Sequence, residues 1–213
     1  MHIPDGVLST PVLVTTGVLS AAGVAYGLKK IDDERIPKAA LLAAVFFVAS
    51  LIHVPIGPAS SHLLLNGLMG LLIGWAAFPA LLIALLLQSL FFGFGGISSL
   101  GANVFNMGLP AIITYLLFAS FMTPAASQKK VFGVACLAGV LSILLTCLCG
   151  SLTLLASGKE FMSAVMAIVL AHIPIMVIEG FVTGFVMVFL YKVRPELLTT
   201  PVIQTPQEEK IYA

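Results

Sequence analysis

The first six residues, Met1-His2-Ile3-Pro4-Asp5-Gly6, concentrate nitrogen donors in a very short stretch. A free α-amino group has a pKa of about 8 and ligates metal once deprotonated. The His2 amide nitrogen closes a five-membered chelate ring with that amine, and His2 Nδ1 closes a six-membered ring from the same amide. Met1 and His2 thus offer three nitrogens in one plane. A fourth completes the square-planar set associated with Ni(II) and Cu(II). Such binding releases protons and weakens in acid. Met1, ahead of a bulky His2, is expected to persist. Pro4 fixes its own φ and biases Ile3 toward extended geometry. Asp5-Gly6 then supplies a turn and a helix start, so the segment reads as one that folds back on the rest of the chain. The same residues are equally compatible with a frayed terminus followed by a helix cap.

The fourth nitrogen must come from elsewhere, and the chain has four histidines in all. His62 stands out by context. It ends the connection Gly57-Pro58-Ala59-Ser60-Ser61-His62, whose small and turn-forming residues permit irregular backbone beside a cavity. The Ser60 and Ser61 hydroxyls are candidates to bond the far ring nitrogen and set the tautomer. His53 closes an apolar run and reads as an interfacial residue. His172 and Glu179, seven apart, share one helix face. Intramembrane ionisable residues are functional suspects; here a structural hydrogen-bonded pair is favoured over a proton relay. Met162 and Met166, four apart, would suit Cu(I), but that spacing is also ordinary core packing. No HExxH or GxSxG motif occurs, and Ser60 and Ser61 do not align with His62 as nucleophile and base merely by adjacency. The chain therefore reads as a non-enzyme.

These residues must be held by a bundle solvated by lipid. Apolar residues make up 60% of the 213 and charged residues 9%, against about 45–50% and about 25% in soluble domains. Mean hydropathy is +1.12. So few charges cannot cover a water-exposed surface, and a net charge of +1 excludes a strongly basic nucleic-acid binder. Cys136, Cys147 and Cys149 share one apolar run and read as small buried residues. A crossing takes about 20 apolar residues. Seven candidates lie over 7–28, 39–54, 61–77, 79–96, 104–122, 131–156 and 160–191. No segment alternates as a membrane barrel requires. The expected fold is all-α, a polytopic bundle of seven transmembrane helices forming one domain over 1–194. A Pro/Thr/Gln/Glu-rich flexible tail over 195–213 follows.

Seven crossings put the termini on opposite sides. Lys29, Lys30, Arg35, Lys38, Lys129, Lys130, Lys192, Arg194 and Lys210 then share one side, and Lys159 stands on the other. By the positive-inside rule the amino terminus faces out and the tail faces the cytoplasm. The polar start lacks a basic n-region, which argues against a cleaved signal. There is no ATP-binding loop, so any energy from nucleotide must come from another chain.

MHIPDG at the start resembles the substrate-binding membrane subunit (S component) of energy-coupling-factor nickel/cobalt transporters, the CbiM/NikM family. Three further stretches fit: SSHLLLNGL around His62, FFGFGGISSLGANVFNMGLP from Phe91 to Pro110, and HIPIMVIEGFVTG from His172 to Gly184. The resemblance covers roughly 1–192, with the motifs in order. It implies an S-component-like bundle with the outward amino-terminal segment inserted in its core. The implied ligands are the Met1 amine, the His2 amide and ring nitrogens, and the His62 imidazole. Asp5, Ser60, Ser61 and Asn103 are candidate supporting residues, Asn103 and Asn106 as braces. Co2+ or Ni2+ would be the transported substrate, with no organic cofactor. The implied partners are a transmembrane coupling subunit, cytoplasmic ATPase subunits and a small accessory membrane subunit, in a bacterial or archaeal cytoplasmic membrane. Ala39/Ala43 and Ala40/Ala44 offer the coupling subunit, or the bundle itself, a close-packing face. Phe94 stands where many relatives carry a polar residue, so no acidic role carries over there. The competing reading is a stand-alone proton-coupled carrier using Glu179 and His172.

Overall fold

The computed structural model describes residues 2–33, 35–51, 53–56, 59–123 and 125–195, with backbone alone over 53–56 and 59–61. The first helix, α1 (Thr10–Lys30), follows Ser9 at its N-cap, has proline in its first turn and ends on Lys29 and Lys30. Proline is pre-shaped for a first turn, and cations suit a helix C-terminus. Next come α2 (Ile36–Ala49), an antiparallel hairpin of β1 (His53–Ile56) and β2 (Ala59–His62), α3 (Asn66–Ile73) and α4 (Ala77–Phe92). The chain continues with α5 (Leu100–Phe118), α6 (Gln128–Ser157) and α7 (Met162–Val193). Among the described residues, Thr10–Lys30, Asn66–Phe92, Leu100–Phe121, Gln128–Ser157 and Lys159–Val193 are long and apolar enough to cross a membrane, and α2 is a shorter apolar helix. The described chain is thus a multi-pass helical membrane protein.

Two details refine the expected helical bundle. The segment read as the end of the second span and the start of the third carries the short β1–β2 hairpin, with His53 opposite His62. The third span is also shorter than the expected 61–77, since α3 begins only at Asn66. At about 1.5 Å per residue its eight residues reach about 12 Å, well short of a bilayer.

The apolar run Asn66–Phe92 is continuous in hydropathy but not in direction. Asn66 Nδ2 donates to Met107 O at 3.3 Å, a Cβ on Gly70 would lie 2.2 Å from Ala111 O, and one on Gly74 would meet the Tyr115 ring at 3.1 Å. Residues 66, 70 and 74 therefore climb α5 in step with 107, 111 and 115. The α4 helix runs the other way, from Phe78 beside Gly108 to Gly95 beside Asn103. Gly74, at φ +52, makes the reversal; a left-handed residue costs glycine little and any other residue more.

Polar side chains turn inward beside an apolar core, and further large apolar side chains face outward. Asn66, Thr146, His172 and Glu179 are buried, while Leu170, Phe185 and Phe189 are at least 60% exposed. The α6–α7 pair packs by close backbone approach, with a Cβ on Gly139 falling 2.7 Å from Glu179 O and one on Gly184 falling 2.6 Å from Cys136 Sγ. Small residues at such contacts replace the hydrophobic drive that lipid cannot supply. One end of the bundle carries residues 2–9 and the α6–α7 connection, joined where Ser9 N donates to Ser157 Oγ at 3.1 Å. The other end carries the end of α1 beside Trp75, and the end of α7, whose Tyr191 hydroxyl donates to Ala126 O at 2.6 Å. Lys29, Lys30, Arg35, Lys38, Lys129, Lys130, Lys192 and Arg194 belong to this second end and Lys159 to the first. Residues 2 and 195 lie at opposite ends.

Candidate metal centre

The site is assembled from the start of the chain, the loop before α3 and the connection from α4 to α5. The His2 and His62 rings stack with centroids 4.6 Å apart and planes 25° from parallel. Both residues are only 3% exposed. Phe94 lies 6.0 Å from His2 in a near-parallel arrangement, and Phe46 of α2 makes a T-shaped contact with His62 at 5.9 Å. Aromatic walls of this kind exclude water and sharpen any electrostatic interaction at the imidazoles. A Cβ on Gly95 (φ +73) would meet Asn103 Nδ2 at 2.9 Å and His2 Nδ1 at 3.8 Å, so the connection closes over the ring as bare backbone.

His62 Nδ1 lies 2.7 Å from Leu63 O. A carbonyl oxygen only accepts, so Nδ1 carries the proton and Nε2 keeps its lone pair for a ligand. The tautomer is therefore set by the backbone of the next residue. The side chains of Ser60 and Ser61, the expected source of that bond, lie outside the described residues. So do Met1 and the His53 side chain.

The stretch after His2 is fastened at three points. Ile3 N donates to Asn103 Oδ1 at 2.9 Å, and Ile3 O accepts from Asn103 Nδ2 at 3.0 Å and from Ser99 Oγ at 2.7 Å. The Asn103 amide thus pairs with Ile3 on both edges, as a neighbouring strand would. Asp5 Oδ1 accepts from Ser98 Oγ at 2.5 Å and from Ser99 N at 3.1 Å, and Oδ2 accepts from Ile97 N at 3.2 Å. The Ser98 hydroxyl, then the amides of Ser99, Ser98 and Ile97, hold the Asp5 carboxyl below its ordinary pKa, against a smaller opposing effect of burial. Ser9 is the third point, through Ser157.

These contacts revise several readings. Asp5 does not start the first helix; it binds the residues just ahead of α5, and α1 begins at Thr10. Asn103 acts on Ile3, one residue from His2, while Asn106 Nδ2 donates to Thr153 Oγ1 at 3.2 Å and braces α5 on α6. Glu179 does not serve as a local partner for His172. Its Oε1 accepts from Leu64 N and from Leu65 N at 2.8 Å, whereas His172 Nδ1–H donates to Ile168 O at 2.7 Å. Met162 and Met166 are 53% and 62% exposed on the outer surface, which suits lipid contact. The parts played by Ser98, Ser99 and Ser157 had no sequence signal beyond lying in polar stretches beside helix ends. Among the described residues no three His, Cys, Asp or Glu side chains converge on one point.

A multi-pass helical bundle with a buried imidazole pair at one end has the build of a transport protein for a small ion. Comparison with known proteins agrees. Residues 2–197 match the family of the cobalt uptake substrate-specific transmembrane region, CbiM. A Haemophilus influenzae protein named for metal transport is 43% identical over 199 residues, covering 93% of this chain and 97% of its own. The fused nickel transport protein NikMN of Rhodobacter capsulatus is 42% identical over 118 residues, covering 51% of this chain and 33% of its own. The crystal structure of a transition metal transporter superposes with a TM-score of 0.79 at 28% identity, over 91% of this chain and 93% of that one. The chain belongs to the CbiM family, a family of metal transport proteins and not of enzymes.

Proposed function

We propose that this chain is the ion-capturing membrane subunit of an ATP-driven uptake transporter of the energy-coupling-factor type, with Co(II) or Ni(II) as its substrate. The observation that carries this reading is the stacking of His2 on His62 at 4.6 Å in a buried, aromatic-walled site, in a chain of the CbiM family. In this reading the Met1 amine, the His2 amide nitrogen and His2 Nδ1 take three corners of a planar set. His62 Nε2 takes the fourth. Asn103, Ser99 and Asp5 hold the backbone that presents them. The amino-terminal segment is inserted in the bundle core, and seven crossings place it outside and the tail over 195–213 in the cytoplasm. A transmembrane coupling subunit, cytoplasmic ATPases and a small accessory membrane subunit complete the transporter.

Two variants test the ligand set by metal titration of the purified chain. Adding one residue ahead of Met1 converts the amine into an amide and is expected to abolish tight binding. His62→Ala is expected to weaken binding by more than the roughly 10–100-fold typical of outer-shell changes. Native affinity in both variants would sink the reading. The carrier alternative has less support, because the Glu179 carboxylate holds the Leu64 and Leu65 amides. Transport that persists without any ATPase partner would favour it.

A further inference from the structure

We propose that Glu179, on α7, is a positioning residue for His62, acting through the peptide group between Leu63 and Leu64. The inference rests on His62 being a metal ligand. That one peptide carries both bonds: its carbonyl, Leu63 O, accepts from His62 Nδ1–H at 2.7 Å, and its amide, Leu64 N–H, donates to Glu179 Oε1. In a trans peptide the carbonyl and amide point in opposite directions. The carboxylate therefore fixes the plane from one side while the imidazole reads it from the other. A second bond, Leu65 N to Oε1 at 2.8 Å, stops that plane from swinging.

The loop needs such a hold. Leu65 sits at φ +50, the non-glycine residue with positive φ among those described, a conformation that persists only where surroundings enforce it. Leu64 and Leu65 are 0% and 5% exposed, so water is no substitute partner for their amides. Glu179 is itself 0% exposed, so water does not compete with its Oε1 for either bond. A carboxylate pulling on an amide also polarises the carbonyl of the same peptide, since hydrogen bonds in a chain reinforce one another. The Leu63 carbonyl then becomes a stronger acceptor, and His62 Nε2 a better donor to metal. This is the carboxylate–histidine–metal arrangement with a peptide inserted as relay. Glu179 belongs to the long α7 helix, so movement of α7 along its axis would turn the His62 ring.

The test is Ni(II) titration of the purified full-length chain, reading affinity and the d–d absorption band of the bound ion. Glu179→Leu removes the acceptor and is expected to lower affinity about 10–100-fold and move the band toward that of His62→Ala. Glu179→Gln keeps an acceptor oxygen and is expected to stay within about threefold of native with an unchanged band. A folded Glu179→Leu chain with native affinity and band would overturn the proposal. So would a Gln variant no better than Leu. If the Leu variant does not fold, the Gln variant decides: a native band supports the relay, and loss of the planar band overturns it. His62→Ala separates the two levels. A silent His62→Ala removes the ligand reading itself, whereas a silent Glu179→Leu beside a damaged His62→Ala removes only this inference.

Discussion

Asp5 shows how one side chain holds the start of the chain in place. Its carboxylate accepts from the Ser98 hydroxyl and from the Ile97 and Ser99 amides. That clasp needs bare backbone beneath it, because a Cβ on Gly96 would fall 2.0 Å from Asp5 Oδ1. Gly96→Ala should therefore break the clasp while leaving the helices intact. The expected result is metal affinity lower by about tenfold, as for other supporting-residue changes, with faster hydrogen–deuterium exchange confined to residues 3–9. The clasp also has a pH signature. These donors lower the Asp5 pKa below its ordinary 3.8. The stabilisation is thus fully present above 3.8 and is lost as pH falls through the lower, folded value. Exchange at residues 3–9, followed from pH 5 downward, should stay protected to below 3.8. Asp5→Asn should remove that step.

At the scale of elements, the site depends on α3 lying close to α5. Gly70 sets that distance, since an added Cβ would meet the Ala111 carbonyl at 2.2 Å, a backbone atom that cannot turn aside. Gly70→Ala is expected to destabilise the chain by about 1–3 kcal/mol, the usual cost of overpacking. Gly133→Ala is the control. It lies on the exposed side of α6 with nothing within 4 Å of its added Cβ, and should be neutral or stabilising by up to about 1 kcal/mol through helix propensity. Thermal melts of the two variants in one detergent would check the contrast. Equal melting points would show that α3 and α5 are not packed this tightly.

For the whole molecule, the distribution of charge predicts its orientation. Eight basic residues among those described gather at the end away from His2, and Lys159 lies at the His2 end. The proposed topology then requires Lys159 to face outward and Lys129 inward. In a chain whose Cys136, Cys147 and Cys149 are first replaced by alanine, Lys159→Cys should react with an impermeant thiol reagent in intact cells. Lys129→Cys should react only after the membrane is opened. The reverse pattern would invert the transporter and put the imidazole pair on the cytoplasmic side.

Composition alone determined that lipid is the solvent, and hydropathy located most of the helices, because both report an average over many side chains. The order of basic connections determined that the charges would sort to one end, since sorting depends only on the number of crossings. His2 and His62 were legible as chemistry-bearing residues from their types and neighbours. Their contact across 60 positions was suggested by family resemblance and found in three dimensions. Tertiary structure decided what local patterns do not encode. The sequence places the break between the third and fourth spans near residue 78, but an apolar run reads the same on both sides of a turn, so its exact place at Gly74 came only from the fold. The hairpin at 53–62 was hidden because short extended stretches in apolar surroundings lack a distinctive period. Glu179 faced His172 by helical arithmetic, yet it bonds the Leu64 and Leu65 amides more than a hundred residues away. A buried polar group takes whichever partner the packed chain brings within reach, and only the folded chain determines which partner that is.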